Sequence, residues 1–466
     1  MSLLSELSEQ FDRLRDEVVK SPEEGDLLEM PYLVAGGGYE QPRDWDSFFM
    51  ARHFAERPGN EDASHFRNWV INVVKVYREV GQTPDVLPVT SGRVGKADEV
   101  VPVKPFLAQA ALKGSPGRPS QAFDWVKEIY EDLVSIVTQR EETSQDEKTK
   151  LFFWKNAMES GIQNCPVLTN LPELEGAYLA CDLNAWLYEE YKALSEVAWA
   201  VGNALDAARF ATTASNIKIA LQEHLWNPEL GAFDHRKRDT GCFANTVALA
   251  NFIPLYMKLG TTEQAEAMFD RYLLNGNEMM TPWGSRSLTR TDRGYHNVPM
   301  SEPYSNWAGP VWPFANYLYF MCLSTYGYHR EASKMANRIG RLILDDLQTC
   351  GQMHESYCSE TGNPMQAQFS NEEERETEPK KVGYVGWNLL VQDMLEIVEE
   401  VEGKTAPDAS AGHQAAAGKS AAVATPAKSE QAVAQALIPE RSGGVSLEDI
   451  NKAFLPNQQK EEEELY

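Results

Sequence analysis

No run of about 18 apolar residues interrupts this 466-residue chain, so nothing in it has the length of a membrane-spanning helix. Its opening, Met1-Ser-Leu-Leu-Ser-Glu-Leu-Ser-Glu-Gln10, has neither a basic stretch nor an apolar one, and a secretory leader is not expected. Basic residues are the minority: 43 Lys and Arg stand against 69 Asp and Glu, a formal charge of −26. That charge repels phosphate backbones and anionic bilayers, which disfavours nucleic-acid and membrane partners. The six cysteines (Cys165, Cys181, Cys242, Cys322, Cys350 and Cys358) contain no C-x-x-C pair and have no histidines beside them at zinc-ligand spacing. Free thiols in a reducing, cytoplasmic compartment are expected, with no metal and no cofactor. Trp and Tyr are missing from about Gly403 until the terminal Tyr466, where Ala, Gly, Ser, Pro, Gln and Lys dominate. Such a segment buries too little apolar area to offset its ordering entropy, so residues 403–466 read as a disordered tail. One piece of it, 446–455, opens on a Ser446/Asp449 capping pattern and carries Leu447, Ile450, Phe454 and Leu455 on one face. It reads either as a docking helix for a protein partner or as a transient helix without a role.

What is present is core material. The chain is 42% hydrophobic, with 11 Trp, 18 Tyr and 18 Phe, enough for one large domain over 1–402. The apolar residues recur at helical spacing, as in 182–201, where Leu183, Trp186, Leu187, Tyr191, Leu194, Val197 and Ala198 share a face. About twelve such segments follow one another: 3–20, 46–56, 61–80, 103–113, 121–138, 182–201, 204–225, 243–258, 262–275, 311–326, 329–350 and 384–400. The connections between them alternate between long and short. If successive helices run antiparallel, all the long loops share one end of the molecule. A solenoid of helix pairs would alternate in the same way, but no motif repeats at a fixed period of about 34–47 residues. The long loops hold Trp45, Trp154, Trp226, Trp283 and Trp307, and Trp312 and Trp387 open the helices that follow. Indole faces stack on the C–H faces of sugar rings, so this end of the chain is expected to hold a site.

The motifs in those loops are specific. Glu159-Ser-Gly161 followed by Gln163-Asn-Cys-Pro166 resembles the Glu-Ser-Gly-x-Asp-Asn-Ser-Pro loop of the trehalase, processing α-glucosidase and mannosylglycerate hydrolase group. Arg43-Asp-Trp-Asp-Ser-Phe-Phe49 is similar to that group's Trp-Asp-[Ser/Thr]-Phe-Phe. The likeness continues, in family order, at Cys181-Asp-Leu-Asn-Ala-Trp-Leu-Tyr188, Leu225-Trp-Asn-Pro-Glu-Leu-Gly231, Trp307-Ala-Gly-Pro-Val-Trp-Pro313, His354-Glu-Ser-Tyr357 and Gly383-Tyr-Val-Gly-Trp387. The mannosylglycerate hydrolase-like branch fits best, because the domain is short and has no large N-terminal β-domain.

The resemblance implies an all-α fold, the (α/α)6 toroid of six-hairpin glycosidases, and hydrolysis of an α-glycosidic bond with inversion. In that chemistry one carboxylic acid protonates the leaving oxygen and a carboxylate on the other face deprotonates the attacking water. The family pattern puts the base at Glu355. It puts sugar contacts at Trp45, Asp46, Trp307, Gly309, Trp312, Tyr357 and Trp387. At the acid position this chain has Gln163, whose carboxamide donates a hydrogen bond but delivers no proton. Glu159, four residues earlier, is the candidate for a substitute acid. Ala308 stands where relatives often have Arg, which removes a partner for an anionic aglycone. Two readings therefore stand together: a glycosidase for an α-linked glycoside, and a carbohydrate-binding pseudoenzyme or scaffold. A helical-repeat interaction protein is a third, weaker one.

Overall fold

The computed structural model describes residues 2–36, 39–56, 62–90, 101–117, 120–164, 176–300, 305–365 and 383–405. Helix starts follow side-chain chemistry. Ser2 caps α1 (Leu3–Val18), Asn203 caps α9 (Ala204–Leu225), and Thr261 with Gln264 forms a reciprocal capping box on α11 (Thr262–Met268). Gly81, Gly202 and Gly351 take left-handed φ values of 74°, 95° and 71° and end α3 (Ser64–Val80), α8 (Cys181–Val201) and α13 (His329–Cys350).

Two kinds of helix result, and their burial explains the architecture. The helices α2 (Asp44–Glu56), α8, α10 (Leu249–Tyr256) and α12 (Pro313–Thr325) have buried residues almost all round, whereas α1, α3 and α13 bury one stripe. The first kind, with α4 (Leu107–Lys113) and α14 (Leu390–Thr405), forms an inner ring: α4 packs on α8, α8 on α10, α10 on α12, α12 on α14, and α14 closes on α2. The partners α3, α6 (Tyr130–Thr143), α9, α13 and α1 lie outside. A solenoid would leave its ends apart; the α14–α2 contact makes this a closed ring of helical hairpins.

The lumen is filled rather than open. Phe48 stacks on Phe106 at 4.8 Å, Phe49 meets Phe314 at 4.8 Å, and Phe106 meets Trp186 at 5.0 Å. Fully burying one such ring contributes roughly 1.5–3 kcal/mol, so this plug is a major part of the core. Buried polar groups tie the ring together. The Glu190 carboxylate of α8 accepts the Ala108 and Gln109 N–H groups at 2.7 and 3.2 Å, satisfying the N-terminus of α4.

All twelve expected helical segments are present, with shifts that have local causes. The fourth starts at Leu107 because Pro105 disfavours helix at Lys104 and Phe106, with φ and ψ of −126° and 1°, stands outside the helical region as the N-cap. The fifth breaks into α5 (Asp124–Lys127) and α6 at Ile129, whose φ and ψ of −119° and 6° leave the helical region. The eighth starts only at Leu249, because Asn245 has φ 59° and the Asn251 side chain accepts the Ala248 N–H at 2.7 Å. Three two-stranded ladders are new: β1 (Val19–Lys20) with β2 (Tyr32–Leu33), β3 (Tyr178–Leu179) with β6 (Arg236–Lys237), and β4 (Trp226–Asn227) with β5 (Ala232–Phe233). They stiffen the long loops. Among the described residues Cys181, Cys242, Cys322, Cys350 and Cys358 are free thiols, and no helix is long and apolar enough to cross a membrane. The tail from residue 406, including the expected helix at 446–455, lies outside the described residues.

Candidate active site

Each inner helix follows a long loop, so the N-termini of α2, α4, α8, α10, α12 and α14 open toward the same end of the ring. The sequence places the candidate residues there, and the structure brings several of them together. Asp46, in the first turn of α2, is buried, and Tyr384, just before α14, donates its hydroxyl to Asp46 Oδ1. Glu355, on the loop after α13, accepts the Tyr39 hydroxyl at 2.7 Å on Oε1. The two tyrosines meet edge to face at 5.8 Å, which joins both carboxylates into one cluster. Burial pushes the Asp46 carboxyl up to about 7 against the hydrogen bond from Tyr384 and the charge of Arg43, and the nearby Glu355 adds to the rise. Burial and the adjacent carboxylates likewise raise the Tyr39 and Tyr384 phenols, which stay protonated as donors.

An aromatic wall continues from this cluster. Tyr384 lies 5.1 Å from Trp387, which stands 6.3 Å from Trp307 and 6.2 Å from Trp312. Trp307 and Trp312 stack at 3.8 Å with planes 6° apart. Trp312 is the inner member: it is 1% exposed and gives its indole N–H to the Asn306 carbonyl. Asn164, next to Gln163, ties the wall to the acid-position loop by accepting the Trp307 N–H at 2.6 Å and donating to Asn306 Oδ1 at 2.8 Å. Three buried polar atoms in this region, Trp45 Nε1, Trp387 Nε1 and Gln163 Oε1, have no hydrogen-bond partner among the described residues. Leaving such a group unmatched costs about 1–3 kcal/mol, and a ligand hydroxyl would relieve it.

The other expected residues take different places. Tyr357 is fully buried; its hydroxyl donates to Asp346 Oδ2 at 2.7 Å and its backbone pairs with Val311, so it is set behind the wall. Gly309 has φ 155°, and a Cβ there would come within 2.8 Å of the Tyr295 ring, so glycine is needed for a close approach. Glu159 is 3% exposed, accepts the Lys155 N–H at 3.0 Å and pairs with Arg140 at 3.5 Å. Arg140 in turn lies 5.2 Å over the Trp154 ring. Glu159 thereby anchors the short helix α7 (Ala157–Ser160), which Gly161 ends at φ 75° directly beside Trp45 and Lys104. Lys104 is itself buried, paired with Asp44 at 3.4 Å and 5.5 Å from the Trp45 ring centre.

Sequence reasoning missed Tyr39, Arg140, Lys104 and Asn306. Tyr384 lay inside a recognised motif, but nothing in the motif assigned it to Asp46. The sequence signal for Tyr39 is slight, a polar aromatic just after three glycines in a row, Gly36-Gly-Gly38.

The chain resembles known proteins. Residues 44–371 match the family model described as the mannosylglycerate hydrolase MGH1-like glycoside hydrolase domain. The mannosylglycerate hydrolase of Rubrobacter radiotolerans is 27% identical over 203 residues, which are 42% of this chain and 41% of that one. The match thus spans about two fifths of that relative's length. Among solved structures, the GH63 mannosylglycerate hydrolase from Thermus thermophilus in complex with glucose superposes with TM-score 0.60 at 14% identity, covering 84% of this chain and 99% of that one. The neutral trehalase Nth1 from Saccharomyces cerevisiae does so with TM-score 0.56 at 17% identity, covering 81% and 76%. The fold is therefore the (α/α)6 toroid.

Proposed function

We propose, from the premise that this chain belongs to the mannosylglycerate hydrolase MGH1-like glycoside hydrolase family, that its long-loop face binds an α-linked glycoside and that Glu355 activates water against it. The observation that carries this reading is the joined pair of carboxylates, Asp46 under Tyr384 and Glu355 under Tyr39, beside a wall with unmatched buried donors. In this reading Asp46 accepts hydroxyls of the sugar and Trp45, Trp307 and Trp387 shape its pocket, with Trp312, Tyr357 and Gly309 supporting them from behind. Glu355 takes a proton from water as the oxygen attacks the anomeric carbon from the face opposite the leaving group, which inverts the configuration.

The departing oxygen then needs a proton. Gln163 offers an N–H hydrogen bond that stabilises developing charge, but the proton itself must come from solvent water, at a typical cost of about 10²–10⁴ in rate. Glu159 is committed to Arg140 and to the Lys155 backbone, which favours an anchoring role over a substitute acid. The result is a slow hydrolase for ordinary glycosides. Gln163 also supports a second reading, a carbohydrate-binding protein on a hydrolase fold. Titrating sugars and glycosides while following both melting temperature and product release separates them: a ligand that raises the melting temperature without being cleaved favours the binding protein. Cleavage that releases the inverted anomer, and that Glu355→Gln abolishes, favours the enzyme. If no sugar shifts the melting temperature and none is cleaved, both readings fail.

A further inference from the structure

At the end of the ring away from the candidate site, α12, α13 and α14 leave a groove of about 330 Å³. Phe320, Ala332, Ile397 and Val401 line it with apolar surface, Arg330 and Lys334 stand exposed beside them, and Glu402 adds a carboxylate on the α14 side. Arg338 and Arg341 continue that row. Spacings of four, four and three residues put the four cations on one face of α13, about 16 Å from first to last at 1.5 Å per residue. None of them has an ion pair among the described residues. In a chain of formal charge −26, four cations on one helix face are a local concentration of positive charge.

The same chain carries a complementary segment. Wound as a helix, the sequence of residues 446–455 would put Leu447, Ile450, Phe454 and Leu455 on one face, Glu448 and Asp449 flank these in sequence, and residues 461–464 are all Glu. A helix of ten residues is marginal alone in water and needs an apolar surface to be stable. We propose that residues 446–466 dock back onto their own chain, with the apolar face in the α12–α13–α14 groove and the acidic run along the basic row of α13. Tethering favours this occupant over a second copy. The end of α14 lines the groove, and the 40 residues 406–445, as a flexible linker, would span about 35 Å root-mean-square. The local concentration of the segment is then on the order of millimolar, well above that of another molecule in dilute solution. The docked segment would cover the short-loop end and leave the long-loop face open.

The test uses the full chain with Phe454→p-benzoylphenylalanine, irradiated at low micromolar concentration and mapped by mass spectrometry. Docking predicts cross-links within one chain to residues 320–334 or 397–402. Their yield should fall several-fold in 0.5 M salt and in the Arg330→Glu/Lys334→Glu variant, whose exposed positions leave the helical circular dichroism unchanged. Leu447→Asp with Ile450→Asp should give the same loss without touching the barrel. Cross-links between chains would assign the groove to a second copy and overturn the proposal. So would cross-links elsewhere, or a yield indifferent to both sets of substitutions.

Discussion

The buried pair between Arg140 and Glu159 decides whether Glu159 is available as a proton donor, and it can be broken from either side. Glu159→Gln keeps an oxygen for the Lys155 N–H but takes from the buried Arg140 guanidinium its ion-pair partner, with Asp44 the remaining carboxylate that acts on it. Removing one partner of such a pair typically costs about 3–5 kcal/mol. At about 2.1 cal/mol/K per residue, roughly 400 ordered residues unfold with an entropy near 0.8 kcal/mol/K, so the melting temperature should fall by about 4–6 °C. Arg140→Met should cost at least as much, because it strands the carboxylate and also removes the cation from the Trp154 face. Replacing both, as Arg140→Met/Glu159→Leu, should cost clearly less than the sum of the two, the signature of direct coupling. Scanning calorimetry on the four proteins reads this cycle directly. The anchoring argument is refuted if Glu159→Gln leaves the melting temperature within about 1 °C while abolishing glycoside cleavage.

Other outcomes follow from the same geometry. Asp46 holds its proton up to about 7 when folded, against about 3.9 in an unfolded chain. Between pH 4 and 7 the folded state therefore binds the extra proton, and raising the pH through that window removes stability, on the order of 4 kcal/mol by pH 8. Asp46→Asn abolishes the dependence, so its melting temperature should rise relative to the parent from pH 4 to pH 8; a constant difference would contradict the burial argument. Tyr39→Phe should lower turnover by about 10-fold with little change in sugar affinity, because it removes a hydrogen bond that orients the Glu355 carboxylate. Equal loss in affinity and turnover would make Tyr39 a sugar ligand. Trp387→Phe removes an unmatched indole N–H, so it should weaken sugar binding by about 5–10-fold while costing less stability than the lost volume alone. Calorimetric titration and melting on one sample check both halves.

The helices and their pairing were legible because a 3.6-residue apolar period survives over ten or more residues, and the alternation of long and short loops assigned the candidate site to one end of the molecule. Ring closure was legible only through the ordered family motifs, since α14 meets α2 across more than 330 residues of chain and no local pattern records that contact. The β-ladders were invisible for the opposite reason, since two residues are too few for a period. Motif order marked Glu355, Asp46 and Gln163, residues whose chemistry is carried by their own side chains. It left out Tyr39 and Arg140, whose roles exist only through a partner 316 or 19 residues away. Glu159 shows the limit most clearly: its place in a motif allowed an acid, and only its depth beside Arg140 argues for an anchor.

The central claim is a pocket with a working base and no acid, and the leaving group tests it. An alkoxide must be protonated as it departs, whereas fluoride leaves as a weakly basic anion and makes little demand on a general acid. Initial rates on an α-glycosyl fluoride and on the matching disaccharide, measured for the parent and for Gln163→Asp, give the answer in one experiment. The account predicts that the parent cleaves the fluoride in preference to the disaccharide, that Glu355→Gln abolishes the reaction, and that Gln163→Asp accelerates the disaccharide far more than the fluoride. Efficient cleavage of both substrates by the parent would contradict it, because a proton donor would then be at work in the pocket.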